Sequence, residues 1–260
     1  MAGCGRGPSP QPRGSAVSRV SAEPPPLGFS VQGRPILVSC YGVGPTVVLI
    51  VGGIHGNEPA GAVLPRQLCA HLDTHPAIVR GRQVVVATAV NPDGLARGTR
   101  ANAHGVDLNR NFATPNWRAS RRHGAKPFSE PETRFIAELI RRFRPTRVVQ
   151  LHQPLRCVDW DGPGRALAAA MAEACGLPLK KLGGRPGSLG SYAGTKLGIP
   201  TVTLEMPRSA TGLKPDALWA RYGEALLVAV RLEGSDRKPM ESFPKVQIGG
   251  EVRLRWEHTR

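Results

Sequence analysis

The stretch Val47-Val48-Leu49-Ile50-Val51-Gly52-Gly53-Ile54-His55-Gly56-Asn57-Glu58 decides how this chain is read. Its first five residues are a short, continuous, largely β-branched run. Gly44-Pro45 and Gly52-Gly53 bound it, which is the pattern of a buried β-strand. After the glycine break come an imidazole and a carboxylate three positions apart. Open α/β sheets take their ligands beyond the carboxyl ends of their strands, where His55 and Glu58 would sit and could close on one metal ion. Nitrogen and oxygen ligands suit Zn²⁺, and a catalytic zinc keeps three protein ligands with a fourth position open. The pair therefore requires a third ligand elsewhere. Without one, Glu58 is only an acid in the first turn of a helix, favoured there by the helix dipole.

Outward from this stretch the chain alternates strands and helices. Residues 29–43 predict a hairpin turning at Gln32-Gly33, and a helix is expected over about 57–72. A second strand at 84–87 ends in Asn91-Pro92-Asp93-Gly94, a turn by composition. Residues 95–128 form a long polar connection, and connections of that length inside a domain usually carry function. Ser129-Glu130-Pro131-Glu132 predicts a capping box, with serine at the N-cap and glutamate three residues later. Phe135, Ile136, Leu139, Ile140 and Phe143 then give one apolar helical face, which Pro145 ends. Strands follow at 148–151 and 201–204, with helices at 165–175 and about 215–232. The alternation implies an α/β fold: a mixed, largely parallel central sheet with helices on both faces. The expected organisation is a disordered N-terminal tail over 1–27, a catalytic domain over 28–233 and a basic C-terminal extension over 234–260. In that extension 246–248 and 252–254 pair as a small hairpin or stay mobile.

At 260 residues the chain is long enough for one full α/β domain with a large core. No apolar stretch approaches the ~18 residues that span a bilayer. Residues 1–27 carry arginines among Gly, Pro and Ser without the apolar segment of a signal peptide. The five cysteines are odd in number, irregularly spaced and free of Cys-x-x-Cys, which predicts reduced thiols in a cytoplasmic protein. Cys157 is expected to be a buried structural thiol. The formal charge of +16 attracts anions, from nucleic acid to small molecules with several carboxylates. No Cys/His finger and no RNP-type aromatic motif accompanies it, so a generally basic surface is preferred to a nucleic-acid site.

The third ligand is expected at His152, directly after the strand at 148–151. Glu205 ends another strand, at 201–204. A carboxylate there that does not itself hold the metal can take the proton from a metal-activated water and pass it to a leaving amine. Asp107-Leu108-Asn109-Arg110-Asn111-Phe112, in the long connection, offers a planar guanidinium fork with an amide donor beside it for a substrate carboxylate. Arg100 can face a developing oxyanion, where a fixed cation is a large catalytic term.

Taken in order, the motifs are His55-Gly56-Asn57-Glu58, Asn91-Pro92-Asp93-Gly94, Gly105-Val106-Asp107-Leu108-Asn109-Arg110-Asn111-Phe112, Ser129-Glu130-Pro131-Glu132-Thr133, Leu151-His152 and Thr203-Leu204-Glu205. Over roughly residues 47–230 the chain thereby resembles the zinc carboxypeptidases of the M14 type. The resemblance implies one Zn²⁺ on His55, Glu58 and His152, with Glu205 as general base and acid. It implies Asn109 and Arg110 on the substrate's terminal carboxylate, and Arg100 polarising the scissile carbonyl. Digestive members hold a mobile tyrosine over the bound terminus, for which Tyr192 is the candidate here. They also follow the third ligand with serine, where this chain has Gln153. The short form, Leu151-His152-Gln153-Pro154-Leu155 and Gly187-Ser188-Leu189-Gly190-Ser191-Tyr192 resemble those members that hydrolyse the γ-D-glutamyl–meso-diaminopimelate bond of murein peptides in the cytoplasm.

The implied function is thus metallo-carboxypeptidase action on a small peptide bearing carboxylates. The nearest alternative is an aspartoacylase or succinylglutamate-desuccinylase type deacylase, which shares His-Gly-Asn-Glu and a strand-end glutamate. Asn-Pro-Asp-Gly and Ser-Glu-Pro-Glu-Thr favour the peptidase. An alternative of another class is a non-catalytic zinc- or anion-binding protein of the same fold, against which the complete set of ligands and base speaks.

Overall fold

A computed structural model describes residues 28–233. The expected tail over 1–27 and extension over 234–260 lie outside the described residues. A six-stranded sheet forms the centre of the molecule. Its strands are β3 (Val38–Tyr41), β4 (Thr46–Val51), β5 (Arg82–Ala87), β6 (Arg147–His152), β7 (Leu155–Asp161) and β8 (Thr201–Pro207), in the spatial order β3-β5-β4-β6-β8-β7. The four inner strands run parallel, and β3 and β7 are antiparallel edges. The expected mixed, largely parallel sheet is what forms.

Period-two alternation divides the core between the two faces. Val48, Ile50, Val149, Leu151, Val202 and Leu204 point to one side. There they pack against α1 (Ala60–Thr74), α4 (Arg165–Cys175) and α5 (Pro215–Arg231) through Leu64, Leu68, Met171, Tyr222 and Leu226. Val47, Leu49, Val51, Val85 and Val148 point to the other side. They meet Phe135, Ile136, Leu139 and Ile140 of α3 (Pro131–Phe143), and Leu189 and Tyr192 near a π-helical segment, Gly190–Lys196. The apolar stripe of α3 seen in the sequence is the face that docks.

Several local expectations are corrected. The hairpin forms only as β1 (Gly28–Phe29) against β2 (Pro35–Ile36), turning through Gly33 at φ 74°. Residues 38–41 leave it to pair with β5 instead, because Val38 is needed in the second core. Asn91-Pro92-Asp93-Gly94 is the start of a helix, α2 (Pro92–Arg97), whose N-cap Asn91 accepts from Gly94 N at 2.8 Å. The capping box at Ser129 does not form: the N-cap is Glu130, and the Ser129 hydroxyl donates to the Glu130 carboxylate. Glu132 instead accepts from Val31 N at 3.1 Å, tying α3 to the β1–β2 turn. Strand β7 escaped the sequence reading, since Asp159 and Asp161 are residues that strands disfavour.

The architecture brings the carboxyl ends of β4, β6 and β8 to one edge. His55-Gly56-Asn57-Glu58 lies between β4 and α1, which starts only at Ala60. The turn is stitched down by Val90 N on Gly52 O (3.1 Å), Asn91 N on Gly53 O (2.9 Å) and Asn91 Nδ2 on Ile54 O (3.2 Å). Close approach of two backbones explains Gly56, because a Cβ there would stand 1.9 Å from the carbonyl carbon of Gly94. Gly56→Ala is expected to cost about 1–3 kcal/mol, the usual range for overpacking, in a denaturant titration. The same variant should bind metal more weakly, because the turn between the two ligands must shift.

Candidate metal centre and active site

His55, Glu58 and His152 are brought together, each buried, with one ligand atom apiece within 4.8 Å of the others. His55 Nδ1 lies 2.9 Å from Glu58 Oε1, His152 Nδ1 lies 2.9 Å from Glu58 Oε2, and the two Nδ1 atoms are 3.0 Å apart. The outer nitrogens are engaged elsewhere. His55 Nε2 donates to Asp107 Oδ1 at 3.0 Å, and His152 Nε2 donates to Gln150 Oε1 at 3.3 Å. A neutral imidazole that donates through Nε2 presents a lone pair at Nδ1. Two such lone pairs and a carboxylate then face one point in a buried space, where a bound cation would satisfy them. Two nitrogens and a carboxylate are a donor set that fits Zn²⁺.

The carboxylates at this point are held ionised. Burial alone would raise the Glu58 carboxyl, yet the neighbouring imidazoles of His152 and His55 hold it well below the usual carboxylate range. Burial likewise opposes ionisation of Asp107, and His55 with Arg100 outweighs it. Asp107, to which the sequence reading gave no role, supports the site. It caps the short 3₁₀ turn Leu108–Arg110 through Asn109 N (3.1 Å), orients His55, and accepts from Arg100 Nε (2.9 Å) and Arg122 Nη2 (3.2 Å). The signal was available in principle, because metal-binding histidines usually donate their second N–H to a carboxylate or carbonyl.

Glu205 stands beside the triad. On β8 its neighbours across the ladder are His152 of β6 and Cys157 of β7. Its Oε2 accepts from Leu155 N at 3.3 Å, and burial holds its carboxyl above the usual range against the pull of His152. A carboxylate whose proton affinity is raised is better suited to accept and return a proton. Cys157 is fully buried, as expected, and burial pushes its thiol up to about 11.

The other predicted residues separate into two groups. Arg100, Asn109 and Arg110 line the site. Arg100 Nη1 donates to Glu58 Oε1 at 2.9 Å, and Asn109 Oδ1 accepts from Leu189 N at 2.8 Å with its Nδ2 3.3 Å from His152 Nε2. The half-buried Arg110 donates to Asn109 O. Burial, with Arg100, Arg122 and Arg185 nearby, holds its guanidinium below the ordinary pKa despite Asp107. These arginines concentrate positive charge beside the site. Tyr192, by contrast, is not at the site. It is 2% exposed, and its ring packs between Phe112 (centroids 5.7 Å) and Phe128 (5.3 Å). A ring enclosed in this way offers no face to a substrate, so the expected Tyr192 contact is corrected to a core position.

Gln153, the residue that replaces the serine of digestive enzymes, is buried and clamps the site. Its N–H donates to Glu58 Oε2 at 3.1 Å and its Oε1 accepts from Ala60 N at 3.2 Å. Its Nε2 donates to Pro207 O at 3.2 Å and Thr211 Oγ1 at 3.0 Å. The start of α1 is thereby joined to the end of β8.

The fold and this site define a metallohydrolase of the carboxypeptidase kind. Residues 22–155 match the model of the zinc carboxypeptidase family (peptidase M14), and the chain belongs to that family. Among its relatives, the murein peptide amidase A of Escherichia coli K12 is 40% identical over 177 residues, 61% of this chain and 70% of that one. The murein peptide amidase A of Vibrio campbellii is 33% identical over 203 residues, 71% and 79% of the two chains. The crystal structure of the murein-tripeptide amidase of Escherichia coli O157 superposes with a TM-score of 0.66 at 31% identity. It covers 83% of this chain and 96% of that one.

Two outcomes follow from the geometry. Asp107→Asn is expected to weaken metal binding about 10- to 100-fold in competition with a chromogenic chelator, the usual cost of losing such a partner. Tyr192→Phe should leave kcat/KM unchanged, while Tyr192→Ala should lower unfolding free energy by about 3–5 kcal/mol, as for other buried aromatics.

Proposed function

We propose that this chain is a zinc-dependent carboxypeptidase that cleaves the γ-D-glutamyl–meso-diaminopimelate amide of murein peptides. The observation that carries the reading is the convergence of His55, Glu58 and His152 beside Glu205 on the adjoining strand. The identity of 40% to a murein peptide amidase A supports the substrate class.

Zinc on His55, Glu58 and His152 would supply a Lewis acid that polarises the scissile carbonyl and activates water. Glu205 takes the proton from the attacking water and returns it to the leaving nitrogen. Its place next to His152 across the β6–β8 ladder suits both transfers. Asn109 and Arg110 hold the carboxylate of the leaving diaminopimelate and so select the bond that is presented. Arg100 carries its guanidinium beside Glu58 and faces the charge that develops on the carbonyl oxygen. Excess positive charge around Arg110 favours a substrate with several carboxylates. We assign the reaction to the cytoplasm. Among the described residues the thiols of Cys40, Cys69, Cys157 and Cys175 are free, which suits a reducing compartment.

Mass spectrometry of L-Ala-γ-D-Glu-meso-diaminopimelate after incubation should find L-Ala-D-Glu and free diaminopimelate, with N-succinylglutamate and N-acetylaspartate intact. A chelator should abolish the activity and added Zn²⁺ restore it. Glu205→Gln should keep one zinc per chain and lose about 10²- to 10⁴-fold in kcat, the size of a general acid–base contribution. Full activity of that folded, zinc-loaded variant would overturn the assignment of the base.

A further inference from the structure

Residues 183–189 carry the chain from an exposed stretch into the buried start of the π-helical segment. They are laid directly on the turn that bears Asn109 and Arg110. Leu189 N donates to Asn109 Oδ1 at 2.8 Å, Gly187 N donates to Thr114 Oγ1 at 2.8 Å, and Phe112 N donates to Gly187 O at 3.0 Å. Gly187, at φ 67°, comes so close that a Cβ on it would stand 2.1 Å from Arg110 O. Trp117 adds to the contact, its Nε1 donating to that same carbonyl at 3.0 Å. The turn ahead of Gly187 is fixed as well, because Arg185 O accepts from Ser188 N at 3.1 Å and from Ser191 Oγ at 3.0 Å.

Arg185 is thereby held at a defined place beside Arg110, while the residue itself stays exposed. Four guanidiniums gather here, those of Arg100, Arg110, Arg122 and Arg185. Two of them are committed to carboxylates. Asp107 accepts from Arg100 Nε at 2.9 Å and from Arg122 Nη2 at 3.2 Å, and Glu58 accepts from Arg100 Nη1 at 2.9 Å. Arg110 donates only to a carbonyl, Asn109 O, and among the described residues the Arg185 guanidinium has no hydrogen-bond or ion-pair partner. Two cations left without carboxylates repel one another, and a ligand that brings two carboxylates relieves that repulsion. The planar fork of each guanidinium suits a carboxylate.

We infer that Arg185 receives a second carboxylate of the leaving residue, beside the one on Arg110, and so selects leaving residues that carry two. The inference rests on the proposed orientation, in which Asn109 and Arg110 hold the first carboxylate. Arg185 belongs to that side of the site because its loop is bonded to the turn that carries the pair. Diaminopimelate fits, with a carboxylate at each end of one chain. Lysine ends instead in an ammonium alone, which these arginines repel.

The test compares L-Ala-γ-D-Glu-meso-diaminopimelate with two analogues. One is amidated at the distal carboxylate of diaminopimelate, the other at the α-carboxylate of D-Glu. Arg185→Gln should raise KM for the unmodified peptide about 10- to 100-fold, the size of a charged hydrogen-bonded pair, with kcat within about twofold. The distal amide should raise the wild-type KM by the same factor, and on that peptide Arg185→Gln should add no more than about twofold. On the D-Glu amide the effect of Arg185→Gln should keep its full size. A full effect on the distal amide, an effect abolished by the D-Glu amide instead, or a loss confined to kcat would overturn the inference. If Arg185→Gln does not fold, the wild-type ratio between the unmodified and distally amidated peptides decides, and a ratio near one overturns it. If no murein peptide is cleaved, the proposed substrate has failed, and calorimetry with meso-diaminopimelate and L-lysine reads Arg185 by itself. Diaminopimelate should then bind the wild type at least about 10-fold more tightly than lysine and lose that margin in Arg185→Gln. Equal affinities, or no binding of either, would overturn the role of Arg185.

Discussion

Two imidazole nitrogens 3.0 Å apart, with a carboxylate oxygen 2.9 Å from each, are the arrangement on which the rest of the structure turns. Three acceptors at that separation repel one another unless a cation lies between them. Everything adjoining them keeps the arrangement from relaxing. Asp107 fixes the His55 tautomer, Gln150 engages His152, and Gln153 N and Arg100 donate to the two Glu58 oxygens. Gly56 lets the turn between the two ligands press against Gly94, where any side chain would collide. The strength of the site lies in these surroundings as much as in the ligands themselves.

The sheet serves two purposes through its two faces. One face is aliphatic from β4 to β8 and carries three helices. The other is aliphatic beneath α3 but turns polar under the π-helical segment, where His152, Gln150, Glu205, Thr203 and the aspartates of β7 lie. Burying so many polar groups is tolerable only where they bond one another or await a ligand. The polar strip therefore begins at the candidate metal ligands and runs inward along β6, β8 and β7.

Much of this was legible in the sequence because it is local or periodic. The run at 47–51, the apolar stripe of α3 and the strand ends at His152 and Glu205 follow from side-chain pattern alone. The family's ordered motifs added the residues of the long connection, which no periodicity reveals. The failures have a common cause. Ser129 has the composition of an N-cap, yet its hydroxyl bonds the neighbouring Glu130, and Asn111 occupies the helix entrance, 3.2 Å from Glu130 N and 2.7 Å from the Thr133 hydroxyl. Asp159 and Asp161 kept β7 from being read as a strand, and Tyr192 is enclosed by Phe112 and Phe128 from a distant part of the chain.

By itself, then, the sequence determined the α/β class, the positions of the strand ends and the candidates for the three ligands and the base. These depend on residue type and on spacing along one chain. Only the tertiary structure decided which polar groups serve those four. The contacts of Asp107 with His55, and of Gln153 with Glu58 and Pro207, join residues tens of positions apart, brought near by strand order and register. A linear pattern does not contain that order, because the same apolar periodicity is compatible with several ways of laying parallel strands side by side.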